Sequence, residues 1–168
     1  MLGLDFDKVM LAEYDQQWTV HYVSEAEAIK NTLADMVIDI QHIGSTAVVG
    51  LKAKPIIDIL VGLASFEQIE EIIDKMVSLG YTYAYWAGIQ GDCTFRKGDI
   101  TTHLVHMVEY GKNNWNHNIR FRDALRNNPD LVRGYERLKE ELAAKYPGSR
   151  EQYTEGKNKF IADVLSGR

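Results

Sequence analysis

Apolar and polar positions follow two different periods along the first 63 residues. Trp18, Tyr22, Ile29 and Leu33 recur at helical spacing and predict a helix over residues 16–34. The run MVIDIQHIG then alternates apolar and polar positions, which is the period of a half-buried strand. The stretch QHIGSTAVVGLKAKPIIDILVGL, residues 41–63, continues from that strand through a turn of small residues and a short helix to a second strand.

The middle of the chain predicts one more helix and three more strands. SFEQIEEIIDKMVSLG is amphipathic, opens on Ser65 with Gln68 three residues later as a capping box, and ends at Gly80. The runs YTYAYWA, CTFRK and THLVHMVEY are rich in β-branched and aromatic residues and are separated by turns that contain Gly. We expect them to continue the sheet in a mostly antiparallel arrangement.

Three helices are predicted to close the chain. NWNHNIRFRDALRN forms the first, and Asn128 followed by Pro129 starts the second. The sequence YPG ends that helix, and SREQ opens the last one with another capping box. The fold class is therefore α+β, a mixed sheet with flanking helices and a helical C-terminal region. We expect one domain over residues 1–168, with the sheet in about 1–110 and the helical part in about 111–168.

Composition and charge narrow the classes of function. The net charge of −5 argues against a general nucleic-acid binder. No window approaches the roughly 18 apolar residues of a membrane span, and Cys93 as the one cysteine excludes an internal disulfide. The acidic N-terminus does not fit a signal peptide, so we expect a cytoplasmic protein that binds neither membrane nor nucleic acid.

The charges are unevenly distributed along the chain. Residues 1–100 carry 15 Asp and Glu against 7 Lys and Arg, whereas residues 101–168 carry 9 against 12. An acidic sheet part and a basic helical part would face each other across a cleft. The alternative is a set of helices with mixed, solvated faces.

Asp58 is the first residue that requires a functional explanation. It stands in the otherwise apolar strand IIDILVGL, and a buried carboxylate is costly unless it is paired, hydrogen-bonded or bound to a metal. The preceding Gly44–Ser45 turn offers backbone N–H groups, a hydroxyl and a helix end to an anion such as phosphate. Capping of the short helix by Ser45 is the alternative.

These residues resemble a known family. A Gly-Ser turn followed about a dozen residues later by an acid on an apolar strand is similar to the signature of the DNA polymerase β-type nucleotidyltransferases. The wider set HIGSTAV, GL, AKPIIDI, FRD, the pattern LK-x-ELA-x-x-YP and YTEGK resembles the GrpB family, which is assigned to that superfamily by fold. The resemblance runs from YDQQW to Phe160 and implies a nucleotidyltransferase-like fold.

The resemblance assigns roles residue by residue. Gly44 and Ser45 fall on the phosphate-binding turn, and Asp58 falls on the first metal-binding carboxylate. The second carboxylate belongs two residues later on the same strand face, where this chain has Leu60. The family often has His-x-His on a later strand, but here Leu104 stands two residues before His106. Both departures indicate that one metal position has been lost.

His103 and His106 are three residues apart on a predicted strand, so they should point to opposite faces. We expect His106 to join Asp58 as a catalytic and metal-binding pair, the alternative being two ordinary strand histidines. Arg122 and Lys157, on inward edges of the C-terminal helices, are candidate phosphate partners. Salt bridging or snorkelling is the alternative for Lys157.

The resemblance implies metal-assisted nucleotidyl transfer from a nucleoside triphosphate to an unknown acceptor. Its cofactor would be a divalent metal, Mg²⁺ or Mn²⁺, with a nucleotide or other phosphate-bearing small molecule as substrate or ligand. The alternative is a non-catalytic nucleotide- or phosphate-binding module with a degenerate metal site. A third interpretation is a metal-dependent phosphate-ester hydrolase that uses Asp58 and a histidine.

Overall fold

The computed structural model describes residues 1–84 and 92–168 and contains a mixed β-sheet flanked by helices. The helices of the described part are α1 (Gln17–Leu33), α2 (Ile69–Ser78), α3 (Asn113–Asn127), α4 (Pro129–Lys145), α5 (Arg150–Glu155) and α6 (Asn158–Leu165). The strands are β1 (Val37–Ile43), β2 (Ile57–Leu63), β3 (Tyr81–Tyr83), β4 (Cys93–Lys97) and β5 (His103–Glu109). The end of the predicted strand YTYAYWA, residues 85–87, lies outside the described residues. The predicted α+β class is confirmed.

The five strands lie in the order β1-β2-β5-β4-β3. Strands β1 and β2 are antiparallel, and so are β5 with β4 and β4 with β3. The central pair of β2 and β5 is parallel. The elements α2, β3 and β4 come between these two strands in the chain, and β5 begins at the same end of the sheet as β2. The expected mostly antiparallel arrangement is confirmed, with β2 and β5 as the one parallel pair among the described strands. This parallel register places Asp58 beside Leu104 and Leu60 beside His106.

Alternation along β2 separates the two faces of the sheet. Ile57, Ile59, Val61 and Leu63 are fully buried and pack with residues of α1 and α2 in the largest core cluster. The intervening positions face the C-terminal helices, where Leu60 packs with Trp115 of α3. Asp58 is on this second face and is only partly buried. The helical face is therefore the one that carries polar chemistry.

Several predicted helix ends are confirmed and others are wrong. Asn128 caps α4 by accepting from the backbone N–H groups of Asp130 and Leu131, and Ser149 caps α5. The capping box predicted at Ser65 does not form, because α2 begins at Ile69 and Ser65 Oγ accepts from the N–H of Glu67 instead.

The predicted last helix is two helices in the structure. Helix α5 ends at Glu155 and α6 begins at Asn158. Gly156 lies in the break, where an added Cβ would collide with the side chain of Leu142 on α4. Helix α4 thus comes close to the chain at the point where α5 ends. Lys157 lies at the junction between α5 and α6.

The N-terminal segment links the sheet to the C-terminal helices. Ala12 forms an antiparallel bridge with Ala53 ahead of β2, and the N–H of Val9 donates to the carbonyl oxygen of Pro147 at 3.0 Å. This extended strap thereby holds the start of β2 near α5. None of the helices in residues 1–84 and 92–168 is both long and apolar enough to span a bilayer.

Candidate functional site: a cation-lined cavity

A cavity of about 250 Å³ lies between the second face of the sheet and helices α4 and α5, and we call it the lysine cavity. It brings together five of the six site residues that the sequence predicted, namely Gly44, Ser45, Asp58, His106 and Lys157. The other lining residues include Lys54, Tyr135, Arg150 and Tyr153. The cavity therefore joins residues of the 41–63 stretch to the C-terminal helices.

Asp58 and His106 form a hydrogen-bonded pair on neighbouring strands. The distance from Nε2 of His106 to Oδ1 of Asp58 is 3.2 Å, and the side chains are 20% and 30% exposed, respectively. Burial acts to raise the pKa of Asp58, but the hydrogen bond and charge of His106, with Lys54 and Arg150, hold that pKa below its usual value. Asp58 is therefore ionised at neutral pH.

Gly44 allows the turn to approach this carboxylate. Its φ of +71° is in the left-handed region, and a Cβ at this position would lie 2.6 Å from Oδ2 of Asp58. The short helix predicted after the turn is one 3₁₀ turn, Ser45–Ala47. Because so few peptide dipoles align there, the helix-end contribution that the sequence predicted for anion binding is small.

Ser45 is held by a buried lysine that the sequence analysis did not select. Lys139 of α4 is 1% exposed, and its Nζ donates to Ser45 Oγ at 3.0 Å and to the carbonyl oxygen of Lys52. Burial lowers the pKa of Lys139 to about 7. In the sequence, the feature that points to Lys139 is its position within the apolar stripe between Tyr135 and Leu142.

Lys54 and Lys157 approach the same aromatic ring. The Nζ atoms of Lys54 and Lys157 lie 5.2 and 4.7 Å, respectively, from the ring centre of Tyr153. Tyr153 is 1% exposed. Burial, with repulsion from Arg150 and Lys157, lowers the pKa of Lys54 to about 7. Burial also lowers the pKa of Lys157 to about 8, with Arg150 contributing and Asp58 opposing. The protonated forms of both lysines are therefore disfavoured in the folded protein.

Arg150 lines the cavity and was not predicted as a site residue, since SREQ indicated only a helix cap. Its guanidinium lies 4.4 Å from the ring centre of Phe6. Its Nη1 atom is buried and has no hydrogen-bond partner among the described residues. Buried donors are almost always satisfied in folded proteins, so this N–H group lacks a partner that a ligand can supply.

Arg122 lies outside the lysine cavity. Its Nη1 donates to Oε1 of Gln41 at 2.8 Å and to the carbonyl oxygen of His42 at 3.1 Å, and its Nε donates to Asp123. These bonds hold α3 against β1 and occupy the guanidinium. The geometry thus gives no support to the phosphate-binding role predicted for Arg122.

The histidines of β5 separate as predicted. His103 is buried on the opposite side of the sheet from His106, and its Nδ1 lies 2.9 Å from the hydroxyl of Thr102. Burial lowers the pKa of His103, with Glu25 opposing and Lys97 and His21 contributing, whereas His106 contacts Asp58. Only one of the two histidines therefore belongs to the cavity.

The residues present do not fit a two-metal clamp. Within residues 1–84 and 92–168, no group of three or more His, Cys, Asp or Glu side chains is placed to hold a metal ion. Leu60 occupies the position of the second carboxylate and is fully buried against Ile43, Val108 and Trp115. Asp58 and His106 are thus a pair without a third ligand in this part of the chain.

The fold is that of nucleotidyltransferases. The Cid1 poly(U) polymerase, in a structure bound to MgATP, matches with a TM-score of 0.53 at 9% sequence identity, covering 79% of this chain and 44% of that one. At that identity the likeness concerns the fold alone. The nucleotidyltransferase-like fold implied by the sequence resemblance is confirmed.

Closer matches identify the family. The glutamate-rich protein GrpB of Alkalihalophilus pseudofirmus is 37% identical over 172 residues, covering 99% of each chain. The crystal structure of the conserved protein GrpB from Enterococcus faecalis matches with a TM-score of 0.85 at 33% identity, covering 94% of this chain and 96% of that one. The model of the GrpB protein family matches residues 8–166. The chain belongs to the GrpB family.

Proposed function

We propose that the lysine cavity binds the phosphate groups of a small molecule, a nucleotide being the expected class, and that binding does not require a divalent metal. The observation that carries this proposal is the Nη1 of Arg150, which has no hydrogen-bond partner among the described residues. The described lining of the cavity adds one carboxylate, Asp58, and two further cations, Lys54 and Lys157. Lys139 adds a fourth cation behind Ser45. Arginine and lysine are the side chains that proteins use to hold phosphate.

The charge balance of the cavity favours an anion energetically. The pKa values of Lys54 and Lys157 are lowered to about 7 and 8 by burial and by neighbouring cations. A bound phosphate supplies the negative charge that these groups lack, and it accepts the unused hydrogen bond of Arg150. Ligand binding would therefore relieve repulsion that the free protein carries.

The size of the cavity supports a phosphate-sized ligand group. Its volume of about 250 Å³ lies just below the range of about 300–1,000 Å³ that is typical of whole small-molecule sites. We infer that the phosphates enter the cavity and that the rest of the molecule lies at its mouth. The nucleotidyltransferase fold, seen with MgATP in Cid1, supports a nucleotide.

Nucleotidyl transfer is the second candidate function. It is favoured by the position of ionised Asp58 beside the Gly44 turn, where an added Cβ would lie 2.6 Å from the carboxylate. Leu60 opposes it, because a two-metal phosphoryl-transfer site uses further acidic ligands. Binding alone needs neither the metal nor the second carboxylate.

Isothermal titration calorimetry with pyrophosphate and ATP, in matched samples containing a chelator or Mg²⁺, tests the proposal. We expect measurable binding in chelator and a change of less than about tenfold on adding Mg²⁺, because the cations Lys54, Arg150 and Lys157 supply the attraction. Binding that vanishes in chelator would indicate an intact metal enzyme. No binding in either sample would contradict both candidate functions.

Matched charge variants locate the binding site. Lys157→Gln and Arg150→Gln should each weaken pyrophosphate binding about tenfold or more, as expected for a charge-assisted hydrogen bond. Lys159→Gln is the control, because Lys159 is 88% exposed on α6 and pairs with Asp163 instead. Equal affinities in all three variants would place the anion elsewhere.

A further inference from the structure

A second and larger cavity lies on the other side of the turn that follows β1. Its volume is about 670 Å³, and we call it the Tyr22 cavity. Tyr22 and Val23 of α1 form one wall, Val48 belongs to the turn segment, and Leu125 and Val132 come from the α3–α4 junction. The volume is within the range of small-molecule sites.

The walls of the Tyr22 cavity combine an apolar surface with positive charge. The described lining residues include Arg126 and Arg133 but no Asp or Glu. Arg133 pairs with Asp130. The Nε of Arg126 donates to the carbonyl oxygen of Ala47 at 2.9 Å, and its terminal nitrogens make no hydrogen bond with any described residue. Arg126 is therefore the cation available to a ligand.

Two stacked rings, those of Tyr22 and His42, contribute to the lining of the Tyr22 cavity. The rings of Tyr22 and His42 stack with centroids 4.6 Å apart and planes within 9° of parallel. Burial lowers the pKa of His42 to about 4, so this histidine is neutral at physiological pH and adds no charge. An uncharged aromatic lining suits contact with an apolar group.

Exposed valines mark the mouth of the cavity. Val49 is 79% exposed and Val23 is 46% exposed, and both are lining residues. Neighbouring exposed apolar side chains around a concave site are typical of ligand or partner binding. Apolar walls with one available guanidinium select a molecule that has an apolar body and a single negative group.

We propose that the Tyr22 cavity binds a small amphipathic organic anion, with its apolar body against Tyr22, Val23 and Val132 and its anionic group on Arg126. This site is separate from the lysine cavity, which is reached from the other side of the Gly44–Gly50 segment: Gly44, Ser45 and Thr46 line one cavity, whereas Ala47 to Gly50 line the other. The proposal is therefore independent of the function proposed above.

Fluorescence titration with 1-anilinonaphthalene-8-sulfonate tests the site, with N-phenyl-1-naphthylamine as the same ring system without the anionic group. Val49→Lys should tighten binding of the sulfonate and Val49→Glu should weaken it, and both should fold normally because Val49 is highly exposed. Arg126→Gln should weaken sulfonate binding about tenfold and leave the uncharged dye unaffected. Arg137→Gln, which removes a charge of α4 outside both cavities, should change neither dye.

The remaining outcomes distinguish other occupants. Saturating pyrophosphate should not displace the sulfonate dye, since pyrophosphate is expected to bind in the lysine cavity. Displacement would overturn the proposal, and so would equal sulfonate affinities in the two Val49 variants. Sedimentation velocity should show no change of oligomeric state between wild type and Val49→Glu. A dimer that dissociates in Val49→Glu would make this surface a protein interface and would also overturn the proposal.

Discussion

Lys54 and Lys157 are lysines whose charge is sensitive to pH near neutrality. Their pKa values of about 7 and 8 lie below the usual value of 10.5, and burial is the main cause for both. As pH rises above 7, each loses its proton and the lysine cavity loses positive charge. An anion stabilises the protonated forms, so anion binding is linked to proton uptake by these lysines.

We therefore predict that ATP affinity in chelator falls roughly tenfold or more between pH 7 and pH 9.5. The phosphates themselves do not explain such a decrease, because the second pKa of a phosphate group is about 6 and the ligand stays ionised in this window. Calorimetry at a series of pH values measures the decrease, and buffers with different ionisation enthalpies measure the proton uptake.

The variant Lys157→Arg is the matched control for this pH dependence. A guanidinium keeps its charge over the whole window, so the decrease should be shallower in the variant than in wild type. An affinity that is constant from pH 7 to pH 9.5 in the wild-type protein would show that neither lysine faces the ligand.

Sequence reasoning found the residues of the site that lie close together along the chain. Gly44, Ser45 and Asp58 belong to one stretch, and strand alternation sufficed to assign the face of Asp58. Arg150 and Lys139 were not identified, because Arg150 directly follows the cap residue Ser149 and a lysine within an apolar stripe is ordinarily explained by snorkelling. Only the packing of α4 and α5 onto the Gly44 turn brings these cations to the carboxylate.

The turn after β1 is the element on which the geometry of the lysine cavity depends. Gly44 and Gly50 bound it, with φ of +71° and +82°. A Cβ at Gly44 would lie 2.6 Å from Oδ2 of Asp58, whereas a Cβ at Gly50 would meet nothing within 4 Å. The two glycines thus share a positive φ, and a Cβ would clash with the carboxylate only at Gly44.

We predict that Gly44→Ala and Gly50→Ala both lose about 1 kcal/mol of unfolding free energy from the left-handed backbone alone. Gly44→Ala should lose a further 1–3 kcal/mol, an estimate based on the cost of overpacking, and should abolish pyrophosphate binding by moving the turn. Urea denaturation and calorimetry measure the two effects. Equal stability loss with retained binding in both variants would mean that the turn does not need its contact with Asp58.

Elements with strong periodicity and the mostly antiparallel sheet were predicted correctly, whereas the sequence did not identify which pair of strands is parallel. The bounds of α1, α3 and α4 follow from apolar stripes, Asn128 and Pro129, which are local signals. The direction of the β2–β5 pair depends on how the intervening chain crosses the sheet, and residue alternation is the same in parallel and antiparallel strands. The break between α5 and α6 depends on contact of Gly156 with Leu142, which is 14 residues away.

At the scale of the whole molecule, the lysine cavity concentrates charge where distant segments meet. Lys139, Arg150 and Lys157 come from the basic residues 101–168, and Lys54 and Asp58 come from the acidic first part. The basic C-terminal part therefore contributes most of the cations at or beside this cavity between the sheet and the helices. Keeping these cations together in the absence of a ligand should reduce the stability of the whole fold, a common compromise between stability and function.

This compromise leads to a prediction for Lys157→Met, which keeps the length of the side chain and removes its charge. The pKa of Lys157 is lowered to about 8, so the folded protein disfavours the ammonium form relative to the unfolded chain. Without ligand at pH 7, we expect the variant to be more stable by about 1 kcal/mol, which raises Tm by roughly 2–4 °C for a chain of this size.

The same variant should lose the stabilisation that a bound anion gives to the wild-type protein. Pyrophosphate at saturating concentration should raise the Tm of wild type, because a ligand that binds only the folded state stabilises it by mass action. It should raise the Tm of Lys157→Met much less. Lys159→Met, which removes an exposed charge two residues away, should match wild type within about 1–2 °C in both conditions, since an exposed helix ion pair contributes only about 0.3–0.5 kcal/mol. Differential scanning calorimetry with and without pyrophosphate, at matched ionic strength, compares all three proteins. If Lys157→Met is less stable than wild type without ligand and keeps the full pyrophosphate shift, Lys157 supports the structure and does not hold the anion.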